Sequence, residues 1–419
     1  MADAPGGRPS SEQPAAGRHG PAGLLSIDEA QALIAAHIVA LPTEEVPLAE
    51  AHGRFVASDV EAAIDLPPFS SSAMDGYAVR AADTPARLRV IGESAAGSPF
   101  AGELEPGDAV VISTGAVVPE SADAIVPVEE VAREGDAVAV ASVVRAGAFV
   151  RAPGSDIERG SRVLEAGTRL GPAQIGAAAA AGLAVLTCRR RPRVAVLTTG
   201  SELRQPGQPL EVGEIYDANG PMLAAALRST GAEVENIPAV GDEEDAHRAA
   251  LVTALEHDVV ISSGGVSMGS HDLVRSVGRE LGIREVFWKV ALRPGKPLAF
   301  GVRDATLVFG LPGNPVSTLV CFELFVRPAL LALQGAHTAR PAFSAGRLGA
   351  TVTRNPDRDD LIRVRVSTPE RTPVLTPLAG QQSHQITVTA QADALALIPT
   401  GTGDLAAGTD VAYLPLQRS

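Results

Sequence analysis

From residue 194 to residue 333, short runs of branched apolar residues alternate with helical patterns, and this alternation constrains the chain more than any other feature. Residues 194–198, 234–240 and 259–262 read as strands, with helices expected at 221–228, 243–256 and 273–281. Further strands are expected near 286–290 and 307–309, and a long apolar helix over 315–333. Strands alternating with helices predict a parallel, doubly wound sheet, because each crossover helix covers a face of the sheet it leaves. Ligands of such sheets bind beyond the carboxyl ends of the strands.

Those ends carry unusual chemistry. The first runs into Thr199-Gly200-Ser201-Glu202, and Tyr216-Asp217-Ala218-Asn219 precedes the next helix. Residues 234–240 run into Gly241-Asp242, and residues 259–262 into Ser263-Gly264-Gly265-Val266-Ser267-Met268-Gly269, with Asp272 just beyond. Arg293-Pro294-Gly295-Lys296 and Pro312-Gly313-Asn314-Pro315-Val316-Ser317 follow. Glycines at strand-to-helix turns let backbone N–H groups approach a phosphate, and a helix N-terminus adds a favourable dipole. Glu202, Asp217, Asp242 and Asp272 would converge on the same edge, an arrangement suited to a phosphorylated substrate held with Mg²⁺. Taken singly, each element has a plainer reading: Gly-Gly is turn chemistry, and Asp217 or Asp272 can cap a helix. Their succession at one sheet edge is what argues for a site.

The basic residues sharpen this. Lys289 and Lys296 are the only lysines; every other basic residue is Arg. Arg is a rigid planar fork, whereas Lys is a compact, strongly hydrated point charge. Lys296, in a Pro-Gly turn beside Arg293, marks a place where a small cation meets an anion. Lys289, in a strand with Trp288, reads as a chain that snorkels past apolar neighbours.

A net charge of −14 and 3% aromatic residues argue against a nucleic-acid binder. Cys188 and Cys321 lie far apart in apolar surroundings and read as buried thiols in a reducing cytoplasm. No membrane association is expected, since the apolar run 175–186 is too short to span a bilayer. Residues 1–23, rich in Gly, Pro, Ala and Ser, read as a disordered leader. Residues 24–66 with 147–187 form a helical/linker domain, into which 67–146 is inserted as a β module of short Val/Ile strands. Residues 188–335 form the α/β domain and 336–419 a small C-terminal β domain.

The wording and order of these loops closely resemble the molybdopterin molybdenumtransferases of molybdenum-cofactor biosynthesis, the family known as MoeA in bacteria and as the E domain of gephyrin in animals. Beyond the α/β part, Pro67 to Val79, with Asp75 at its acidic position, is similar to the family's other signature. Ser113-Thr114-Gly115, Arg151 to Asp156, Arg363 after Asp357-Arg358-Asp359-Asp360, and Gly380 to His384 also match. The resemblance covers roughly residues 24–400. It implies a four-part homodimer with its site at the dimer cleft, where Mg²⁺-dependent cleavage of adenylylated molybdopterin accompanies molybdate insertion. It implies that Glu202, Asp242 and Asp272 organise Mg²⁺, and that Arg293, Lys296, Arg363 and Ser383 bind molybdate. Ser263, Gly264, Gly265, Ser267 and Gly269, with Pro312, Gly313, Asn314, Pro315 and Ser317, would cradle the pterin substrate. Asp75 and Thr114 would reach the site from the β module. A molybdopterin adenylyltransferase is the implied partner. Two departures stand out: Arg293 replaces a common Lys, and Ser70-Ser71 replace an Asp-Asn pair. The alternatives are an adenylyltransferase, which needs only the α/β unit, and a non-catalytic scaffold, in which the charged loop residues would be eroded.

Overall fold

The structure, a computed structural model, describes residues 23–240, 243–264, 273–369 and 371–416. It comprises two compact units: Thr43–Arg189, and the chain up to Pro42 together with the chain from Arg190 onward.

In the first unit the expected strands form a six-stranded sheet in the order Ala124–Pro127, Gly76–Val79, Asp108–Ile112, Ala86–Ser94, Ala137–Val140, Val131–Glu134. Its central strands bury residues on both faces, Ala78, Val110 and Ile125 on one side and Tyr77, Val79 and Val126 on the other. The flanking region is less helical than its composition predicts. Its described α-helix is Pro172–Ala180, and Thr43–Pro47 pairs antiparallel with Val185–Arg189 over a core of Val46, Val56, Leu170 and Leu186. Frequent glycines with positive φ, among them Gly154, Gly160 and Gly167, punctuate the rest into turns.

The second unit begins with α1 (Ile27–Ala35). Ser26 caps it: its Oγ accepts the Glu29 N–H at 3.2 Å while its own N–H donates to the Glu29 carboxylate at 2.8 Å. α1 buries Ile27, Ala30 and Ile34 in the same core as Phe325 and Leu330, and the Leu41 N–H donates to Leu333 O at 2.8 Å. The segment expected to open the helical/linker domain therefore packs with the α/β unit, because its apolar stripe finds its partners there.

The central sheet is built from β1 (Arg193–Thr199), β2 (Glu233–Val240), β3 (Val259–Ser263), β4 (Arg284–Trp288), β5 (Ala299–Arg303) and β6 (Thr306–Leu311), ordered β2-β1-β3-β6-β5-β4. β2, β1, β3 and β6 are parallel, as expected, with α2 (Asn219–Ser229), α3 (Glu244–Ala254) and α4 (Leu273–Glu280) in the crossovers. The other edge differs from a purely parallel sheet: β5 and β6 form an antiparallel hairpin and β4 pairs antiparallel with β5. The short turn at Asp304, with φ of 51°, leaves no room for a crossover helix. Lys289 also differs from its reading as a strand residue. It follows β4 with φ of 76°, and its Nζ sits 3.7 Å from the centre of the Trp288 ring.

The long apolar helix is α5 (Pro315–Cys321) and α6 (Arg327–Leu333), joined by a π-helical turn over Phe322–Val326. Pro328 lacks the N–H that a regular ladder requires, which accounts for the widened turn before it. This helix is apolar enough to cross a bilayer, but it is mostly buried as the core element of the unit. Beyond it, Ser344–Leu348, Asp359–Ser367, Val374–Pro377, Ala394–Ile398 and Asp410–Pro415 close into a small barrel, since Asp359–Ser367 pairs with strands on both sides. Leu292–Arg293 adds in parallel to the start of Asp359–Ser367, with Arg293 opposite Asp360. That pairing carries the basic loop of the α/β domain to the barrel.

Candidate active site

The carboxyl edge of the sheet is held together by polar contacts. Asn219, at the start of α2, donates from Nδ2 to Ser263 Oγ at 2.9 Å and to Gly313 O at 2.7 Å, tying the ends of β3 and β6 to α2. Ser263 is buried and also faces Pro312 O, which accepts the Thr318 hydroxyl at 2.6 Å. Asn219 carries no sequence signal beyond its place in the Tyr216-Asp217-Ala218-Asn219 run. Asp217 is buried, with Oδ2 accepting the Thr198 hydroxyl at 2.9 Å and Oδ1 accepting the Gly220 N–H at 2.9 Å. Both oxygens are committed to the fold, joining the end of β1 to the first turn of α2, in keeping with a structural role.

Glu202 lies just past β1 with an exposed carboxylate that folds over Gly200. Its oxygens suit a hard cation, and it makes no ion pair among the described residues. Asp242, Asp272, Gly265, Ser267 and Gly269 lie outside the described residues. Among the described residues no cluster of three or more His, Cys, Asp or Glu groups is present.

Where the basic loop meets the barrel there is a pocket of about 430 Å³. Arg293, Lys296 and Arg358 bring cations to its wall, and Asn314, Ser317 and Ser383 bring neutral donors. Asn314 Nδ2 donates to Ser383 Oγ at 3.0 Å, and the Val316 N–H of α5 donates to Ser383 O at 3.1 Å, stitching the helix start to the barrel loop. Pro315 occupies the first turn of α5, where its missing N–H costs nothing. The pocket thus unites Arg293, Lys296, Pro312, Asn314, Ser317 and Ser383 from the expected set, while adding Arg358 and Asp360. The latter two stand in the Asp-Arg-Asp-Asp turn before Arg363, and only strand pairing shows that they face the loop at 293–297.

Arg363 differs from its expected role. It is 1% exposed and does not line the pocket. Its guanidinium donates to Gly380 O at 2.8 Å and Gln382 O at 3.3 Å, and burial pushes its pKa down. Its strand is buried from Asp360 through Val364, so the register turns this side chain into the barrel wall. Arg363 therefore shapes the pocket through the Gly380–Ser383 loop. Arg363→Ala is expected to cost roughly 2–4 kcal/mol in denaturant unfolding, since buried carbonyls lose their donor. It should also raise the KM for the anion, and Arg363→Lys should not restore both contacts.

In the other unit, Asp75 and Thr114 flank the paired strand ends Gly76 and Ile112. The Thr114 N–H donates to Asp75 Oδ1 at 2.6 Å. That bond, helped by the Thr114 hydroxyl, holds the exposed carboxyl below its usual range.

These features define a multidomain α/β protein with a pocket lined by cations between its sheet edge and a C-terminal barrel. Family models match along the chain: the MoeA N-terminal region (domain I and II) over residues 25–182, a probable molybdopterin binding domain over 195–332, and the MoeA C-terminal region (domain IV) over 345–416. Molybdopterin molybdenumtransferase 2 of Mycobacterium tuberculosis is 38% identical over 403 residues, covering 93% of this chain and 98% of the relative. Molybdopterin molybdenumtransferase of Haemophilus influenzae is 38% identical over 329 residues, covering 77% and 81%. A solved molybdopterin biosynthesis MoeA protein from Pyrococcus horikoshii aligns with a TM-score of 0.80 at 33% identity, over 94% of this chain and all of that one. The chain belongs to the MoeA family.

Proposed function

We propose that this protein is a molybdopterin molybdenumtransferase that inserts molybdate into adenylylated molybdopterin, with Mg²⁺-dependent release of AMP. Its family membership makes it a transferase of molybdenum-cofactor biosynthesis. The observation that carries the finer reading is the pocket where Arg293, Lys296 and Arg358 meet the donors of Ser317, Ser383 and Asn314. A tetrahedral dianion suits clustered cations and hydroxyls, whose hydrogen bonds to it are charge-assisted. The adjoining edge, with Ser263 and Gly313 tied by Asn219 and Gly264 beside them, offers small residues along which a phosphate-bearing substrate can lie. Glu202 fits a divalent cation there, with Asp242 and Asp272 as its expected companions; when bound, Mg²⁺ would neutralise charge on the adenylyl phosphates. Lys296 and Arg293 orient the oxyanion, and Asp75 with Thr114 belongs to the same reaction, contributed from the β module in a homodimer.

The barrel's share of the pocket favours this reading over an adenylyltransferase, which would need only the α/β unit. The protein is proposed to act in the cytoplasm, where the buried thiols Cys188 and Cys321 stay reduced, and to receive its substrate from a molybdopterin adenylyltransferase. The test is incubation of the purified protein with adenylylated molybdopterin, molybdate and Mg²⁺. AMP and molybdenum cofactor should form in equal amounts; no AMP release at any molybdate concentration would rule the reading out.

A further inference from the structure

Within this cationic pocket stands a buried carboxylate. Asp360 is 2% exposed, lies opposite Arg293 in the strand pairing, and accepts from the Arg293 guanidinium through Oδ2. Its Oδ1 is also buried and has no hydrogen-bond partner. A buried carboxylate oxygen without a donor is costly. Facing a bound dianion, it would add repulsion, and its pairing with Arg293 would keep that cation from the anion.

The charges around Asp360 are few. Arg293 and Lys296 come from the basic loop, with Arg358 and Asp359 adjoining it on its own segment. Asp359 is engaged elsewhere, accepting the Thr400 N–H and hydroxyl, each at 2.7 Å. The neighbouring strand Ala394–Ile398 and the pocket-lining residues Asn314, Ser317, Gln381, Gln382 and Ser383 contain no titratable group. Burial pushes the Asp360 carboxyl up, against the opposing pull of Arg293.

We propose that Asp360 makes oxyanion binding proton-linked: as a carboxylate it is the counter-ion of Arg293, and on entry of a tetrahedral dianion it takes one proton, donates a hydrogen bond to the anion and yields Arg293 to it. The proton moves from solvent to a carboxylate oxygen, and no other covalent bond changes. This rests on reading the pocket as the molybdate site. Asp360 then sets specificity, because it gives a fully deprotonated dianion a donor in place of a repelling charge.

The test is calorimetric titration of sodium molybdate into the full chain in two buffers of different ionisation enthalpy. Proton uptake should approach one per molybdate, and affinity should fall close to tenfold per pH unit between about pH 7 and 8.5. Asp360→Asn should bind with no proton uptake and a flat pH profile, and more tightly than the wild type at the upper end by about tenfold. Molybdate binding to the wild type without proton uptake would overturn the inference alone, and so would uptake that persists in Asp360→Asn. The wild-type measurement decides even if the variant does not fold. Absence of molybdate binding would overturn both this inference and the transferase reading.

Discussion

Lys296→Ala is expected to lower kcat/KM for molybdate by about a hundredfold while leaving thermal unfolding nearly unchanged. The side chain is exposed at the tip of its loop, lines the pocket, and makes no ion pair among the described residues. Its loss therefore removes little from the folded state. The loop holds its shape by other means: the Val290 N–H donates to Lys296 O at 3.0 Å, and Cys321 Sγ donates to Gly295 O at 3.6 Å. A charge-assisted hydrogen bond to a dianion contributes about 2–3 kcal/mol, and each 1.4 kcal/mol is roughly tenfold. Steady-state kinetics with varied molybdate, beside a melting curve, gives the answer. An unchanged kcat/KM would remove Lys296 from the site. Lys296→Arg should recover only part of the loss, because a planar fork cannot take the place of a compact ammonium without moving the anion.

The second large effect is expected at Gly264. Its φ is +95°, and a Cβ there would stand 2.6 Å from Thr199 O and 2.8 Å from Thr199 Oγ1. The opposing oxygen is backbone at the end of β1, so it cannot rotate aside. Gly264→Ala should cost roughly 2–4 kcal/mol from the strained φ and the forced displacement. The melting temperature should drop by about 5–10 °C. Activity should fall further than stability, since Ser263, Asn219 and Gly313 are linked through the same contact set. Gly313→Ala is the control: its Cβ would meet Gly264 Cα at 3.6 Å, an ordinary contact. Equal damage from both substitutions would show that the crowding at Gly264 is not the cause.

Much of this was legible along the chain. The parallel strands β1, β2, β3 and β6 announced themselves by β-branched runs between helical periods, and Ser26 with Glu29 marked the start of α1. Loops rich in Gly, with Lys296 and Arg293 among them, pointed to the sheet edge at which the structure has a pocket. These signals are local: a strand's apolar run, a cap three residues from its partner, a glycine where a turn needs one.

Other features depended on partners distant in sequence. The β5–β6 hairpin was hidden because residues 299–303 are buried nearly throughout and lack the alternation of a half-exposed strand. α1 joined the α/β core because its stripe of Ile27, Ala30 and Ile34 fits there, which periodicity alone does not specify. The resemblance points to Arg363, yet Arg358 lines the pocket and Arg363 is sealed in the barrel. Asp360 appeared to be one more turn carboxylate until strand pairing set it against Arg293. Sequence by itself determined the parallel strands with their helices, and the family, since those follow from local periodicity and motif. Only the tertiary structure decided which charges face the pocket, because register selects the face on which each side chain lies and burial decides whether its charge can meet an anion.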